Sequence, residues 1–340
     1  MKKYLSIIAG AALVLAAASC NKLAQSENVA NLPVGEYHKV TLNVGSDDAL
    51  TRASETTVVT GEAAVNSVQV WAFDGSTLAA FAKASADKVT MSLRKDKSYT
   101  LYAVANCSDD LSGLTTAAAI QAKTIDLKDE SRTGFRMYGS GSLATGSTSA
   151  DVSVKRVVAP IRLKSATCTN SSLGTLKISR VFISNVVGNQ NLAGTASAST
   201  WYNKMGRNST TQTDYVTTAK AGAAAMTAED SPSLPYPFYC YANSSSVTPA
   251  GWSTATYAGQ HTMLVIAATF GSGSTVYYYP ININKAINGD IKQNYTYDVT
   301  ATITNYGSTD EPNKEIETGS MTISVSAAAW TPGAEVNKTI

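Results

Sequence analysis

Apolar and polar residues alternate over short stretches along most of the chain. In "HKVTLNV" Val40, Leu42 and Val44 share one side and Lys39, Thr41 and Asn43 the other, the period-two pattern of a half-buried strand. After a polar loop come "SVQVWAF" (67–73), "KVTMSL" (88–93) and "SYTLYAVAN" (98–106), and Asp74-Gly75 between the first two has the composition of a hairpin turn. A helical pattern is predicted only within "SGLTTAAAIQAKTI" (112–125). The Gly/Ser-rich "YGSGSLATGSTSA" (138–150) reads as a boundary loop. Beyond it, "ADVSVKRVVAPIRL", "TLKISRVFISNV", "PYPFYCYAN", "HTMLVIAATF", "STVYYYPININ", "NYTYDVTATITNYG" and "MTISVSAAAW" supply a second set of strands. Pro160 should bulge its strand or place it at a sheet edge, because it cannot donate to a ladder. Short strands separated by such turns predict an all-β protein with a minor helix, built as two tandem β-sandwich domains of transthyretin-like or Ig-like type. The expected division is 53–148 for the first domain and 149–340 for the second.

Composition narrows the function. A chain of 340 residues with 44% hydrophobic content can bury one large core or two. Its net charge of +2, with 15% charged residues, provides neither a basic footprint for nucleic acid nor an acidic tail. Abundant Ala, Ser, Thr and Gly, with 17 Tyr, suit short strands in a protein facing water outside the cell.

The N-terminus adds a compartment. In "MKKYLSIIAGAALVLAAASC", Lys2 and Lys3 precede an apolar run from Leu5 to Ala18 that is too short for a transmembrane helix, so residues 1–19 read as a signal peptide. The ending "AASC" resembles a bacterial lipobox, with Cys20 as the acylated residue and Ala17 where a larger aliphatic is more usual. Two or more acyl chains anchor stably, at about 0.8 kcal/mol per buried methylene. The remaining Cys107, Cys168 and Cys240 lack C-x-x-C spacing and read as small apolar residues rather than a zinc site or a disulfide framework.

The search for catalytic chemistry is negative. His38 and His261 are the only histidines, and no nucleophile elbow, zinc-protease or phosphate-loop motif is present; "GSGS" at Gly139 and at Gly271 lacks the lysine such a loop needs. Asp47/Asp48 and Asp109/Asp110 are adjacent, so on a strand each pair would face opposite ways. In "YYYPI" Tyr277 and Tyr279 share a face and Tyr278 takes the other, which predicts a core and surface split rather than a sugar platform. No catalytic residue, metal or cofactor is expected.

Taken in order, several segments resemble one family: the fimbrillins, the FimA- and Mfa-type pilins of the Bacteroidales that build type V pili. The resemblance rests on the lipobox, "VQVWAFD" (68–74), "YTLYAVAN" (99–106), "MYGSG" followed by "VSVKRVVAPIRL", "FYCYAN" (238–243), "IKQNYTYDVTATITNYGS" and the closing "GSMTISVSAAAWTPG" with Trp330. Gln293 stands where a basic residue is expected before Asn294.

The resemblance implies a life history. The chain is exported as an outer-membrane lipoprotein, and an Arg-specific surface protease then cuts between Arg52 and Ala53, removing the lipid, residues 20–52 and their first strand together. The small polar flanks Ser46, Thr51, Ala53 and Ser54 suit entry into a protease cleft. Losing Val40, Leu42 and Val44 would leave a groove open to a replacement strand. The C-terminal candidates within 321–340 are Met321, Ile323, Val325 and Ala327, which alternate with polar residues before Trp330, and a weaker set of Ala334, Val336 and Ile340. The implied product is a stalk pilin of surface fimbriae for adhesion. Its partners would be other copies of itself, accessory fimbrial subunits and host or bacterial surface ligands, with no nucleic acid and no membrane contact beyond the precursor's lipid. The alternative is a lipoprotein that stays anchored and acts as pilus anchor, tip adhesin or glycan-binding module through exposed Trp201, Trp252 or tyrosines. An enzyme would need His261 joined to a serine and a carboxylate.

Overall fold

The computed structural model describes residues 36–46, 62–194, 200–203, 228–243, 261–309 and 321–329. Strands dominate them. The first part contains β1 (Tyr37–Ser46), β2 (Val68–Asp74), β3 (Thr77–Ala84), β4 (Lys88–Arg94), β5 (Tyr99–Ala105), α1 (Ala117–Ala122), β6 (Thr124–Asp126), β7 (Met137–Leu143) and β8 (Ser149–Arg156). Seven of these strands form one sheet in the order β3-β2-β5-β7-β8-β1-β4. Its two edge strands, β3 and β4, are consecutive in sequence and lie close to each other, so the sheet folds over a single core. That core holds Val40, Leu42, Val44, Val68, Val70, Met91, Leu93, Leu101, Met137, Val152 and Val154, the inward set of each alternating run.

Local sequence explains the elements. Asp74 pairs with Thr77 across Gly75-Ser76, and Gly75 takes φ +61°, the left-handed conformation a tight hairpin requires. The helical pattern yields only six residues: the Thr116 hydroxyl accepts the Ala119 N–H at 3.1 Å to start α1, and Lys123 turns extended to enter β6.

The second part contains β9 (Ala159–Cys168), β10 (Leu176–Ser184), β11 (Val186–Val187), β12 (Asn189–Asn191), β13 (Trp201–Tyr202), β14 (Ala228–Asp230), β15 (Tyr236–Cys240), β16 (Met263–Phe270), β17 (Tyr277–Asn282), α2 (Ile283–Ala286), β18 (Tyr295–Ile303) and β19 (Met321–Ala329). Two four-stranded sheets, β15-β9-β18-β19 and β14-β10-β16-β17, enclose Ile161, Leu163, Val181, Ile183, Leu264, Ile266, Ile281, Val299 and Ile303. This is the sandwich expected.

Three sequence expectations need correction. The division at 148/149 falls later, because β8 pairs antiparallel with β7 and parallel with β1 and so completes the first sheet; the second part begins at β9. Much of the stretch read as a boundary loop is strand β7, where a Cβ on Gly139 would lie 2.0 Å from the Ser153 carbonyl oxygen, so glycine serves close strand approach there. Pro160 lies in an interior strand, β9, flanked by β15 and β18. The ladder to β18 begins only at Ile161, and the register shift comes later, opposite Val299/Thr300, so the proline sits at the end of that ladder rather than breaking it.

The two parts share apolar packing. Trp71, Phe73, Val104 and Phe135 of the first join the same cluster as Ile161, Tyr239 and Tyr241 of the second. Strand β12 also pairs with β6 across the seam, matching Gln190 with Ile125.

Candidate functional site

Strand β1 is an interior strand, and the alternation that predicted it also fixes which side it buries. Antiparallel to β4 it matches Val40 with Met91 and Leu42 with Val89; parallel to β8 it matches Val44 with Val152. Val40, Leu42 and Val44 are 0%, 0% and 2% exposed. Few specific bonds supplement this packing. The Asn43 amide donates to the Asp151 carboxylate at 2.8 Å, and Glu36, just before the strand, lies 2.9 Å from the Arg94 guanidinium. Arg94 also reaches Asp96, and that pairing holds the Asp96 carboxyl below its usual range. Withdrawing β1 would therefore open a slot between β8 and β4, apolar within, with Asp151 toward one end and Arg94 toward the other.

Strand β19 has the opposite situation. It lies at a sheet edge, paired only with β18. Val325 is buried, whereas Met321, Ile323 and Ala327 are half-buried.

The seam between the two parts is polar and charged at its centre. Glu130 is enclosed: its carboxylate accepts the Arg136 backbone N–H at 2.9 Å and the Tyr241 hydroxyl at 2.8 Å, and the Arg136 guanidinium lies 3.3 Å away. Glu62 accepts the hydroxyl of Tyr239, and its own carbonyl faces Arg156. Burial pushes both carboxyls above the usual range, outweighing the arginines and hydroxyls that favour the charged form. The same enclosure raises both tyrosine hydroxyls. Arg132 closes the seam by donating to the Tyr236 hydroxyl and the Pro237 carbonyl, each at 3.1 Å, with its guanidinium 5.4 Å from the centre of the Tyr239 ring.

The other sequence candidates have structural surroundings. His261 is buried, with its Nδ1 3.0 Å from the Asn282 amide, beside a carboxamide network in which Asn284 bonds Thr262 and Asn243, and Asn243 bonds Thr262. His38 is half-buried on β1. Asp109 pairs with Lys123 and Asp110 with Lys83, which holds the Asp110 carboxyl down at about 2. Cys107 and Cys240 are buried, the latter thiol pushed up to about 12 by burial, and Cys168 is half-buried. Tyr279 is buried, while Tyr277 stacks at 4.5 Å on Tyr306 and both touch Phe270. Trp201 pairs through its backbone with Val187. Cys20, Arg52, Ala53, Asp47, Asp48, Trp252, Trp330, Ala334, Val336 and Ile340 lie outside the described residues. Among the described residues no helix is long and apolar enough to cross a membrane.

The periodicity did not reveal the interior position of β1, its parallel partner or the buried acids. Arginines next to apolar strand ends, "FRM" at Arg136 and "KRVV" at Arg156, were the available sign that charge is buried nearby.

Comparison with known proteins follows the same lines. Residues 38–165 match the family model of the major fimbrial subunit protein (FimA). No curated protein matches the chain in sequence. Among solved structures, a candidate cell adhesion protein from Bacteroides eggerthii is similar at TM-score 0.63 and 21% identity, over 88% of this chain and 98% of its own. A fimbrilin (FimA) from Porphyromonas gingivalis is similar at TM-score 0.61 and 13% identity, over 87% of this chain and 98% of its own. A candidate cell adhesion protein from Parabacteroides distasonis is similar at 0.58 and 18%, over 87% and 100%. At such identities the structural likenesses establish the fold, and the matched segment, which contains the slot around β1, is similar to the major fimbrial subunit protein (FimA) family.

Proposed function

We propose that this chain is a stalk-type fimbrial subunit, made as a lipoprotein acylated at Cys20, cut after Arg52 and polymerised by strand exchange between copies. The observation that carries the reading is the position of β1. It is the interior strand that supplies Val40, Leu42 and Val44 to the first core, and Arg52 follows its last residue, Ser46, by six positions. A cut there separates β1 from the rest of the chain while Glu62, ten residues on from Arg52, remains bonded at the seam. The opened slot has two ladder edges, from β8 and β4, and unpaired edges of that kind recruit a strand. A donor from the next copy makes a head-to-tail contact that does not close, so it propagates into a filament. The role is structural rather than catalytic, and the lipid tethers only the precursor.

Arg52→Ala tests it. The variant should fold and melt like the wild-type precursor, because β1 still fills its slot, and should form no filaments after protease treatment that polymerises the wild type. Filaments from the uncut variant would overturn protease gating, and a wild-type protein found intact and surface-anchored would favour an anchored binding protein instead.

A further inference from the structure

Strand β9 leaves the first part at Ala159 and runs to Cys168, beside the end of β18 at Ile303. The pairing of Leu176 with Phe270 and the turn from β16 to β17 bring two more loops to the same place, the pole of the second sandwich away from the seam. Residues 169–176, 270–278 and 303–309, which form this pole, contain no Asp, Glu, Lys, Arg or His, although 15% of the chain is charged. The loops are bound to one another: the Gly271 N–H donates to the Thr175 carbonyl at 2.9 Å, and the Asn170 amide donates to the Thr304 carbonyl at 3.0 Å.

Tyr306 stands on this pole at 45% exposed, one of two exposed large apolar residues among the described ones. Its position is fixed from below. One face of the ring stacks on Tyr277 with centroids 4.5 Å apart, and Phe270 meets both rings edge-on. The hydroxyl of Tyr279, a core residue at 0% exposure, donates to the Asn305 carbonyl at 2.9 Å and accepts the Gly307 N–H at 3.0 Å, so it grips the backbone on either side of Tyr306. A Cβ on Gly307 would lie 2.5 Å from the Tyr278 carbonyl oxygen, and the missing side chain lets the loop close onto β17. Tyr277 shares the inward side with Tyr279, but at the last pair of its ladder it caps the sandwich and leaves a surface on which Tyr306 can lie. An aromatic ring held open in this way loses little conformational freedom when a ligand covers it.

We propose that this pole is a binding site for a neutral glycan, with the open face of Tyr306 as the platform for one sugar ring. The C–H face of a pyranose is apolar and slightly positive at its hydrogens, which suits the negative face of an aromatic ring. Its hydroxyls donate and accept, as do the exposed Ser172, Ser272 and Ser274 of the surrounding loops. With no formal charge in those loops, a sulfated or uronic glycan would gain no ion pair there. The area argues against a second copy of this chain as the occupant. A stable protein interface buries about 800 Å² on each partner. Here Phe270 is 6% exposed and Tyr277 is half-buried, so the open apolar surface is the size of one ring. The site lies wholly on the second part and depends neither on the cut nor on strand exchange.

Native gels of the uncut chain, cast with dextran, mannan or galactomannan and in parallel with heparin or polygalacturonate, test the proposal. Retardation is expected in at least one of the neutral gels and in neither anionic gel. Tyr306→Ala should weaken that binding by about tenfold or more, read from the polysaccharide concentration that halves mobility, while the melting temperature stays close to wild type. Tyr306→Phe, which keeps the ring, and Tyr37→Ala, which removes the other exposed tyrosine, should be retarded like the wild type. No retardation in any neutral gel overturns the inference, and so does retardation that survives Tyr306→Ala. Retardation confined to the anionic gels overturns the neutral chemistry. A chain that binds no polysaccharide but sediments as a dimer, dissociated by Tyr306→Ala, would show that the pole is a contact between copies and would end the glycan reading.

Discussion

The slot around β1 and the seam between the two parts are both buried, and they are held by opposite kinds of interaction. The slot depends on apolar side chains and backbone ladders, with Asn43–Asp151 and Glu36–Arg94 added at the rim. The seam depends on Glu62 and Glu130, enclosed among Tyr239, Tyr241, Arg136 and Arg156. Apolar burial is non-directional, so any strand with the right alternation and volume can satisfy the slot. A buried ion pair is specific, because removing one member leaves the other charged and unpaired. The difference teaches how a subunit could exchange one strand and still keep its two parts in register: the replaceable contact is the chemically undemanding one.

The largest effect should come from emptying the slot. Burying Val40, Leu42 and Val44 is worth about 1.5 to 3 kcal/mol each, and together they rival the net stability of about 5 to 15 kcal/mol typical of a domain. Cut protein held monomeric should therefore lose its first-part transition in calorimetry, while the second part melts as before. A synthetic peptide of residues 36–46 should restore the lost transition.

Breaking the seam should come next. Glu130→Ala leaves Arg136, whose side chain is 5% exposed, without its buried partner, and such losses cost about 3 to 5 kcal/mol. The expected result is a lower melting temperature with faster proteolysis between the parts. Glu130→Gln, which keeps acceptors for Tyr241 and the Arg136 N–H, should lose less.

Within the slot, Leu42→Ala in the uncut precursor should cost about 2 to 5 kcal/mol, because a buried leucine leaves a cavity. Leu42→Ile, which keeps the side-chain volume, should cost under about 1.5 kcal/mol. Chemical denaturation of the three precursors measures the difference. If Ile proves as damaging as Ala, the slot is more selective than its apolar character suggests.

The alternation displayed much of this in the sequence. The inward faces of β1, β4 and β5 are legible there, and so are the strands of the second sandwich except the three-residue β14. Alternation says which side of a strand is buried but not who its neighbour is, so the parallel pairing of β1 with β8 had no local sign, and two glycines made β7 look like a loop. The seam was hidden for another reason. "TGEAA" around Glu62 and "KDESR" around Glu130 are loop-like in composition, and the tyrosines that enclose them stand more than a hundred residues away.

A smaller effect distinguishes the two regions by pH. Burial raises the Glu62 and Glu130 carboxyls above the usual value, so their protonated forms stabilise the folded state fully below the unfolded pKa near 4.5. That contribution is lost as pH rises through the higher folded values. Against a Glu62→Gln/Glu130→Gln variant, the wild-type melting temperature should fall relatively over that interval; a parallel pair of profiles would show that the seam carboxyls do not titrate this way. The exposed Lys83–Asp110 pair, half-exposed on both sides, should leave the melting temperature unchanged when Lys83 is replaced by Ala.

The account turns on whether β1 leaves. N-terminal sequencing of subunits recovered from sheared surface filaments answers this directly: the account predicts Ala53 as the first residue, with residues 20–52 absent from the fibre. Subunits that begin at Cys20 and still carry β1 within assembled filaments would contradict it.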